Sequence, residues 1–319
     1  MATPVLPAMA PGLTEHEQAA RLDYLGGSES AAVLGLNPHH HGSDVYHAKV
    51  SGVAFEPNDM MMMGQALEPY IIERAALELE VETTRANRRR VHPTAPMQAT
   101  IDAFVVGRRE FIEAKLTHPR AFKAIASNPQ DRWGEDYTDI VPRYYLIQVQ
   151  HSLHVLTASS GEPWDTAWLA LMVGVEEFHL FQIRRSPELG AMIEQRATAF
   201  WNDHVSPQIP PVDEGPTIET LSRIPRQAHT IQENMDPALI PAYQAASQET
   251  KVAEGHKEEA KKAILRAIGA CEEGIDTAGR RVFYPLINSS KFDKKAAQVA
   301  FPDVIKRFTI PTSHRRLTL

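Results

Sequence analysis

The chain has little cysteine, no long apolar run and no excess of positive charge. Cys271 is its only cysteine, which excludes a disulfide framework and any metal site built from four cysteines. Without a run of some eighteen apolar residues, the sequence predicts no membrane span. Residues 1–14 are rich in proline and alanine and lack the basic start and apolar core of a secretory signal. Together these absences predict a cytoplasmic location.

The formal net charge of −7 argues against a protein that binds DNA by electrostatics alone. Such proteins are usually basic, because neutralising phosphates supplies most of their affinity. A metal-dependent nuclease is less constrained, since cations neutralise its carboxylates and its basic residues can be confined to one place. One basic cluster is present, and it is either a DNA contact or a solvated turn before a strand. It comprises Arg85, Arg88, Arg89 and Arg90.

Periodicity and turn residues divide the chain into four parts. Residues 1–14 are expected to form a flexible tail, and residues 15–205 a mixed α/β core in which helices flank a central sheet. The Pro-rich stretch 206–234 is a predicted linker. Residues 235–319 are predicted to form a helical arm, which begins with a long charged helix, and a small β element.

Capping residues and hydrophobic alternation predict the elements of the core. The expected helices are 28–34, with Ser28 as its cap, 44–50, 61–80, 142–156 and 187–204. The expected strands lie near residue 91 and at 99–106, 110–117, 166–174 and 177–184.

The motif with the most chemical content is an acid, Asp102, followed by the acid-x-lysine triplet of Glu113 and Lys115. Because side chains alternate along a strand, Glu113 and Lys115 share one face. A hairpin through residues 106–109 would bring Asp102 beside Glu113. Two carboxylates suit a hard divalent cation such as Mg²⁺, and the ammonium can orient a water or stabilise charge on a phosphate. Alone the triplet is unspecific, since exposed strand faces often carry such charges.

Two other polar residues are candidates for the site only if the fold brings them close to that motif. Glu68 lies early in a predicted helix, where the helix dipole by itself favours an acid, so it joins the site only if that helix faces Glu113. Gln148 shares one side of its predicted helix with a mostly polar stripe, which faces either the site or solvent. The stripe comprises Tyr144, Tyr145, His151 and Ser152.

The segment from Arg21 to Ser28 suggests an anion site. If Ser28 caps a helix, the amides of Gly27, Ser28 and Glu29 are available to an anion. The Arg21 guanidinium could add a bidentate contact to a phosphate. A Gly-Gly-Ser sequence alone is weak support for such a site.

Taken in this order, the segments resemble the YqaJ-type viral recombinase and lambda exonuclease family of the PD-(D/E)XK nuclease superfamily. The resemblance extends over about residues 21–205 and implies a restriction-endonuclease-like core. Its motifs are Arg21-x6-Ser28, Gly35-Leu36-Asn37-Pro38, Gly64-x3-Glu68-Pro69, Asp102, Glu113-x-Lys115, Val141-Pro142 and Gln148-Val149-Gln150-His151.

The resemblance implies metal ligands at matching positions. Asp102, Glu113 and the backbone carbonyl of Ala114 would hold Mg²⁺, or Mn²⁺, and Glu68 would belong to a second ion, so that two ions are expected. Lys115 would polarise the attacking water or stabilise the phosphate.

The resemblance also implies residues that handle water and DNA. Gln148 would help to position the water, and Arg21 and Ser28 would receive the 5′-phosphate of the degraded strand. Arg88 and Arg89 are expected to contact DNA.

The preferred hypothesis is a Mg²⁺-dependent 5′→3′ exonuclease that degrades one strand of double-stranded DNA from its ends in phage-type recombination. The resemblance implies a single-strand annealing protein as partner and a trimer, although the region beyond Pro211 has no assigned counterpart in the lambda enzyme. Two alternatives stay open. One is a structure-specific or restriction-like endonuclease, and the other is a non-catalytic DNA-binding recombination scaffold.

Overall fold

We describe the fold from a computed structural model of the chain. The structure describes residues 22–52, 59–85, 89–126, 131–213, 215–224, 231–288 and 294–307. The chain divides into two compact units, one reaching to Arg226 and the other beginning at Gln227. This division falls inside the predicted linker 206–234, while the predicted domain limits themselves stay a prediction.

A five-stranded mixed sheet forms the centre of the first unit. Its strands are β1 (Thr83–Arg85), β4 (Ala103–Val105), β5 (Glu110–Thr117), β6 (Thr166–Val173) and β7 (Glu177–Arg184), in the order β1-β4-β5-β6-β7. β5 and β6 run parallel, and the other neighbours run antiparallel. Strands β2 (Arg89–Val91) and β3 (Gln98–Thr100) form a separate antiparallel pair.

Helices cover both faces of this sheet. They are α1 (Gly27–Val33), α2 (Gly42–Val50), α3 (Asp59–Glu78), α4 (Pro119–Ala126), α5 (Arg143–Ser160), α6 (Pro187–Phe200) and α7 (Ile218–Arg223), and a π-helical turn at Trp201–Val205 continues α6. Residues of α3 share one apolar cluster with Ile112 of β5, and residues of α5 and α6 share the other with Phe111. The predicted mixed α/β core flanked by helices is therefore confirmed.

The hairpin between β4 and β5 is also confirmed, but the predicted strand 99–106 is interrupted. Ala103 pairs with Ile112, and Phe104 pairs with Phe111. Ile101 and Asp102 separate β3 from β4, because the side chain of Asp102 takes a backbone N–H of β5 that a longer β4 would have bonded. The short edge strand β1 was missed, since its three residues are mostly polar and exposed.

The predicted cap at Ser28 is wrong. Gly26 is the residue before the first turn of α1, and its amide donates to Oε2 of Glu29 at 2.7 Å. Ser28 is an exposed second residue of that helix. An acid three positions after the cap can accept from the backbone amide of the capping residue, and here Glu29 does so for Gly26.

The stretch after α6 returns to the start of α2. Asp213 accepts hydrogen bonds from the Ser43 amide and hydroxyl, and Nδ1 of His41 lies 2.8 Å from the Gly215 carbonyl. The Thr217 amide and hydroxyl donate to Oδ1 of Asp44 at 2.7 and 2.9 Å. Part of the predicted linker is therefore ordered against the first unit.

The second unit contains the predicted helical arm and small β element. Helix α8 (Leu239–Ile268) has 30 residues, none of them buried, and so is about 45 Å long. β8 (Glu273–Ile275) and β9 (Arg281–Phe283) pair antiparallel, and α9 (Lys294–Ala300) and α10 (Pro302–Arg307) follow. None of the helices in the described ranges combines the length and apolarity needed to cross a membrane.

Candidate active site

Glu113 is a buried carboxylate at the centre of the sheet, with 3% of its surface exposed. Its Oε1 accepts a hydrogen bond from Nζ of Lys115 at 2.7 Å and another from Nε2 of Gln148 at 2.6 Å. Lys115 lies two residues along the same strand face, whereas Gln148 comes from α5 across that face. The alternative of an exposed, solvated strand face is therefore wrong.

Asp102 is anchored to the same strand through the backbone. Its Oδ2 accepts a hydrogen bond from the Ala114 amide at 2.9 Å, beyond the last residue of β5 that pairs with β4. The N–H and C=O of one strand residue point to the same side. The Ala114 carbonyl is thus directed to the side of the strand that Asp102 occupies, where the sequence predicted a ligand.

The charges of this group perturb one another. Burial, and next the Glu113 carboxylate, holds the pKa of Asp102 well above its usual range. Burial by itself would lower the pKa of Lys115, but the carboxylates of Glu113 and Asp102 outweigh it and raise that pKa. Lys115 is therefore a firmly charged ammonium, while Asp102 holds its proton more tightly than an exposed aspartate.

Glu68 projects from α3 toward this group. Burial raises its pKa, Arg85 opposes that rise, and Glu113 and Lys115 contribute in opposite directions. These mutual effects require Glu68 to lie within electrostatic reach of Glu113 and Lys115. Whether Glu68 belongs to the site stays a prediction, because α3 packs against Ile112, on the face of β5 opposite to Glu113.

The polar stripe of α5 faces the interior, so its reading as a solvent-facing surface is wrong. His151 is fully buried, with Nε2 2.9 Å from the Gln98 carbonyl and Nδ1 2.6 Å from the Ser30 hydroxyl. Because a carbonyl only accepts, the ring proton lies on Nε2 and the Ser30 hydroxyl donates to Nδ1. Ser152 is also buried, at 3% exposure. The stripe joins α5 to α1.

The turn that begins α1 is held by a buried lysine. Nζ of Lys49, whose side chain is 2% exposed, donates to the Tyr24 carbonyl and to Glu29 at 2.8 Å each. The guanidinium of Arg89 lies over the Tyr24 ring, 4.9 Å from its centroid. Arg89 therefore lies against the segment that leads into α1, the helix in which Ser28 is exposed. Arg21 and Arg88 lie outside the described residues, so their predicted roles stay predictions.

The carboxylates at this place fit a hard divalent cation. Asp102, Glu113 and Glu68 bring three carboxyl groups together around the single ammonium of Lys115. Oxygen ligands of this kind are those that Mg²⁺ and Mn²⁺ prefer. A bound cation would also offset the charge that raises the pKa of Asp102.

A second cluster, formed by His92, His154 and Glu194, has the right atoms for a metal but the wrong protonation. One ligand atom from each comes within 4.8 Å of the others, and Nε2 of His154 lies 2.8 Å from Oε2 of Glu194. However, Nδ1 of His92 accepts from the Ala95 amide at 3.0 Å. The proton of the neutral ring therefore occupies Nε2, the nitrogen that faces Glu194, and a metal ligand there would have to lose it.

Tyr145 is a neighbour of the site that sequence reasoning placed only in the polar stripe. It lies within electrostatic reach of Lys115 and packs against Tyr144 and Trp133, at ring-centroid distances of 4.2 and 5.3 Å. Its position one helical turn before Gln148 was the available signal. Trp133, which precedes α5 in the chain, completes this aromatic wall.

These features can be compared with known proteins. Residues 18–160 match the family model of the YqaJ-like viral recombinase domain. The resemblance inferred from the motifs is thereby confirmed. The YqaJ match contains Asp102, Glu113, Lys115, Glu68 and Gln148, and it ends with α5.

The chain is also similar to a protein from Bacillus subtilis (strain 168), named "Uncharacterized protein YqaJ". It is 25% identical over 306 residues, which cover 92% of this chain and 89% of that protein.

Among solved structures, LHK-Exo in complex with dAMP, an alkaline exonuclease from Laribacter hongkongensis, is 22% identical. The alignment has a TM-score of 0.47 and covers 61% of this chain and 94% of that one. A phage related exonuclease from Haemophilus somnus 129PT is 15% identical with a TM-score of 0.39, covering 58% and 96%.

Proposed function

We propose that the protein is a Mg²⁺-dependent exonuclease that degrades one strand of double-stranded DNA from its 5′ end in phage-type recombination. The YqaJ-like match and the names of the two exonucleases support a nuclease. The observation that carries the proposal is the buried Glu113, whose Oε1 is shared by Lys115 and Gln148 while Asp102 is fixed to the adjacent amide.

The roles follow from that geometry. Glu113 and Asp102, with the Ala114 carbonyl and Glu68, would hold the cation. When bound, Mg²⁺ supplies Lewis-acid polarisation of a phosphate oxygen and a more acidic water. The charged ammonium of Lys115 stabilises negative charge that develops on the phosphate, and its raised pKa keeps it protonated throughout the working pH range.

Gln148 has a different role from the water-positioning one implied by the resemblance. Its carboxamide donates to Glu113, so it fixes the rotation of that carboxylate. With Oε1 occupied by two donors, the orientation of Oε2 toward a cation is determined. Arg89 and Ser28 are proposed to bind the DNA end, and Arg21 is proposed to join them at the 5′-phosphate.

The test is a digestion of linear duplex DNA that carries one labelled 5′-phosphorylated end, with Mg²⁺. Release of 5′ mononucleotides is expected from the wild type, and Lys115→Ala should lower the rate by on the order of a hundredfold or more while DNA binding persists. Lys123→Ala, which removes an exposed lysine of α4 close by in the sequence, is the matched control and should cleave at the wild-type rate.

A covalently closed circle in the same assay separates exonuclease from endonuclease, because an exonuclease requires an end. Nicking of the circle would replace the proposal by an endonuclease. Inertness of both substrates with Mg²⁺ and Mn²⁺, despite tight binding, would replace it by a scaffold. A trimeric assembly and a single-strand annealing partner are proposed with the exonuclease, and sedimentation of the wild type tests the first.

A further inference from the structure

Gly27, the first residue of α1, packs directly against the helix that supplies Gln148. A Cβ built on Gly27 would lie 3.1 Å from the Gln148 carbonyl oxygen, 3.2 Å from Gln148 Cγ and 3.4 Å from Ser152 Oγ. Two of these distances are shorter than ordinary van der Waals contacts. Any side chain at residue 27 must therefore displace Gln148 or push α1 away from α5.

Neither the backbone at Gln148 nor the packing of α1 against α5 is easily displaced. The Gln148 carbonyl belongs to the backbone of an 18-residue helix, and α1 is tied to that helix by the bond between Ser30 and the buried His151. The Gln148 side chain is the softer element. Its Cγ is two bonds from Nε2, the atom that donates to Glu113 at 2.6 Å, so a displacement of Cγ moves the donor off that carboxylate.

We propose that Gly27 is a positioning residue of the active site, acting through Gln148 on Glu113. The absence of a side chain at residue 27 lets the Gln148 carboxamide take the rotamer that orients the metal-binding carboxylate. This inference rests on the proposed function, because it assigns Glu113 to the cation. It also links the turn at the start of α1, which is proposed to bind the DNA end, to Glu113, which is proposed to bind the metal, through the contact between Gly27 and Gln148.

The test is Gly27→Ala, with Gly255→Ala, a glycine-to-alanine change within helix α8, as its matched control. Alanine favours a helix more than glycine does, so the substitution should not weaken α1 itself. We expect kcat on linear duplex to fall roughly tenfold, since displacements well below 1 Å already cost rate at a preorganised site, while KM for DNA is unchanged. A Cβ on Gly255 would meet no atom of the described residues within 4 Å, so Gly255→Ala should keep the wild-type kcat.

A double-mutant cycle separates positioning from a general structural role. In a Gln148→Ala background Cγ is absent, so adding Gly27→Ala should change kcat less than twofold, whereas a structural defect would add its full effect. Equal kcat values for Gly27→Ala and the wild type, or full additivity in the cycle, would overturn the inference.

If Gly27→Ala does not fold, the kcat of Gln148→Asn tests the inference instead. Asparagine keeps the amide but is one methylene too short to reach Glu113, so kcat should fall at least tenfold with KM unchanged. Wild-type kcat in that variant would overturn the inference. A wild type that cleaves, with these variants unaffected, refutes only this inference, whereas a wild type that does not cleave refutes the proposed function.

Discussion

Acidification should destabilise the first unit through His151, a fully buried imidazole. Burial, together with the nearby His154 and His92, lowers the pKa of His151 to about 4, although its bond to the Gln98 carbonyl opposes the shift. The unfolded chain takes up this proton with an ordinary pKa of about 6.5. Between these values the unfolded state binds more protons than the folded state, so stability falls as pH falls.

The magnitude follows from the two pKa values. The loss of unfolding free energy relative to pH 8 is about 2 kcal/mol at pH 5 and about 3 kcal/mol at pH 4. Other titrating groups contribute to the total, so the quantity to compare is the difference between the wild type and His151→Gln, whose side chain does not titrate. At pH 7 the variant should be less stable, by about 1 to 3 kcal/mol, because it gives up the imidazole hydrogen bonds.

The assay is urea unfolding followed by tryptophan fluorescence, with a chelator present to keep metal sites empty. All four tryptophans, at positions 133, 164, 168 and 201, lie in the first unit, so the signal reports that unit alone. The stability advantage of the wild type at pH 7 should shrink steadily and vanish or reverse near pH 4. His39→Gln, which removes an exposed ring outside this network, should follow the wild-type curve.

A difference between wild type and His151→Gln that stays constant from pH 7 to pH 4 would refute the reasoning. It would mean that His151 binds its proton equally well in the folded and unfolded states. The neutral ring and its fixed Nε2 proton, on which the bond to Ser30 depends, would then be wrong as well.

Two further predictions concern charged groups. Asp102→Asn should lower the cleavage rate at least a hundredfold. The metal-free variant should be no less stable than the wild type at pH 8, because burial and the Glu113 carboxylate already disfavour a negative charge on Asp102. A clear drop in its melting temperature would contradict this. Lys49→Met should lower the unfolding free energy by about 2 kcal/mol in the fluorescence assay, since the partly buried Glu29 loses its ammonium partner, and a loss below about 0.5 kcal/mol would contradict it.

The sequence predicted what depends on neighbours along the chain. Strand alternation placed Glu113 and Lys115 on one face, and the turn at residues 106–109 predicted the hairpin that brings Asp102 alongside. The cap of α1 shows the limit of local rules. Ser28 has the residue type of a cap, but Glu29 stands three positions after Gly26 and accepts from its amide, so that α1 begins at Gly27, and the buried Lys49 reinforces Glu29 from another helix.

Contacts between distant segments could not be predicted in this way. Gly27 meets Gln148 only because α1 packs across α5, and Glu113 is buried only because α5 covers its strand face. A polar stripe on a helix has the same pattern whether it meets water or another helix. Whether the stripe is buried depends on which segment packs over it, and here that packing buries His151 and Ser152.

The charge of the site bears on how an acidic chain would act on the proposed DNA substrate. Three carboxyl groups, among them Glu113, lie around the ammonium of Lys115. Burial, and next the Glu113 carboxylate, raises the pKa of Asp102, and burial raises the pKa of Glu68. Such a cluster weakens the metal-free fold, which is a cost that proteins accept at functional sites. One divalent cation would only cancel the excess of three carboxylates over one ammonium, and the second expected ion would make the surface that meets a phosphate positive although the net charge of the chain is −7. If this is correct, divalent cations should tighten DNA binding by the wild type but not by Asp102→Asn.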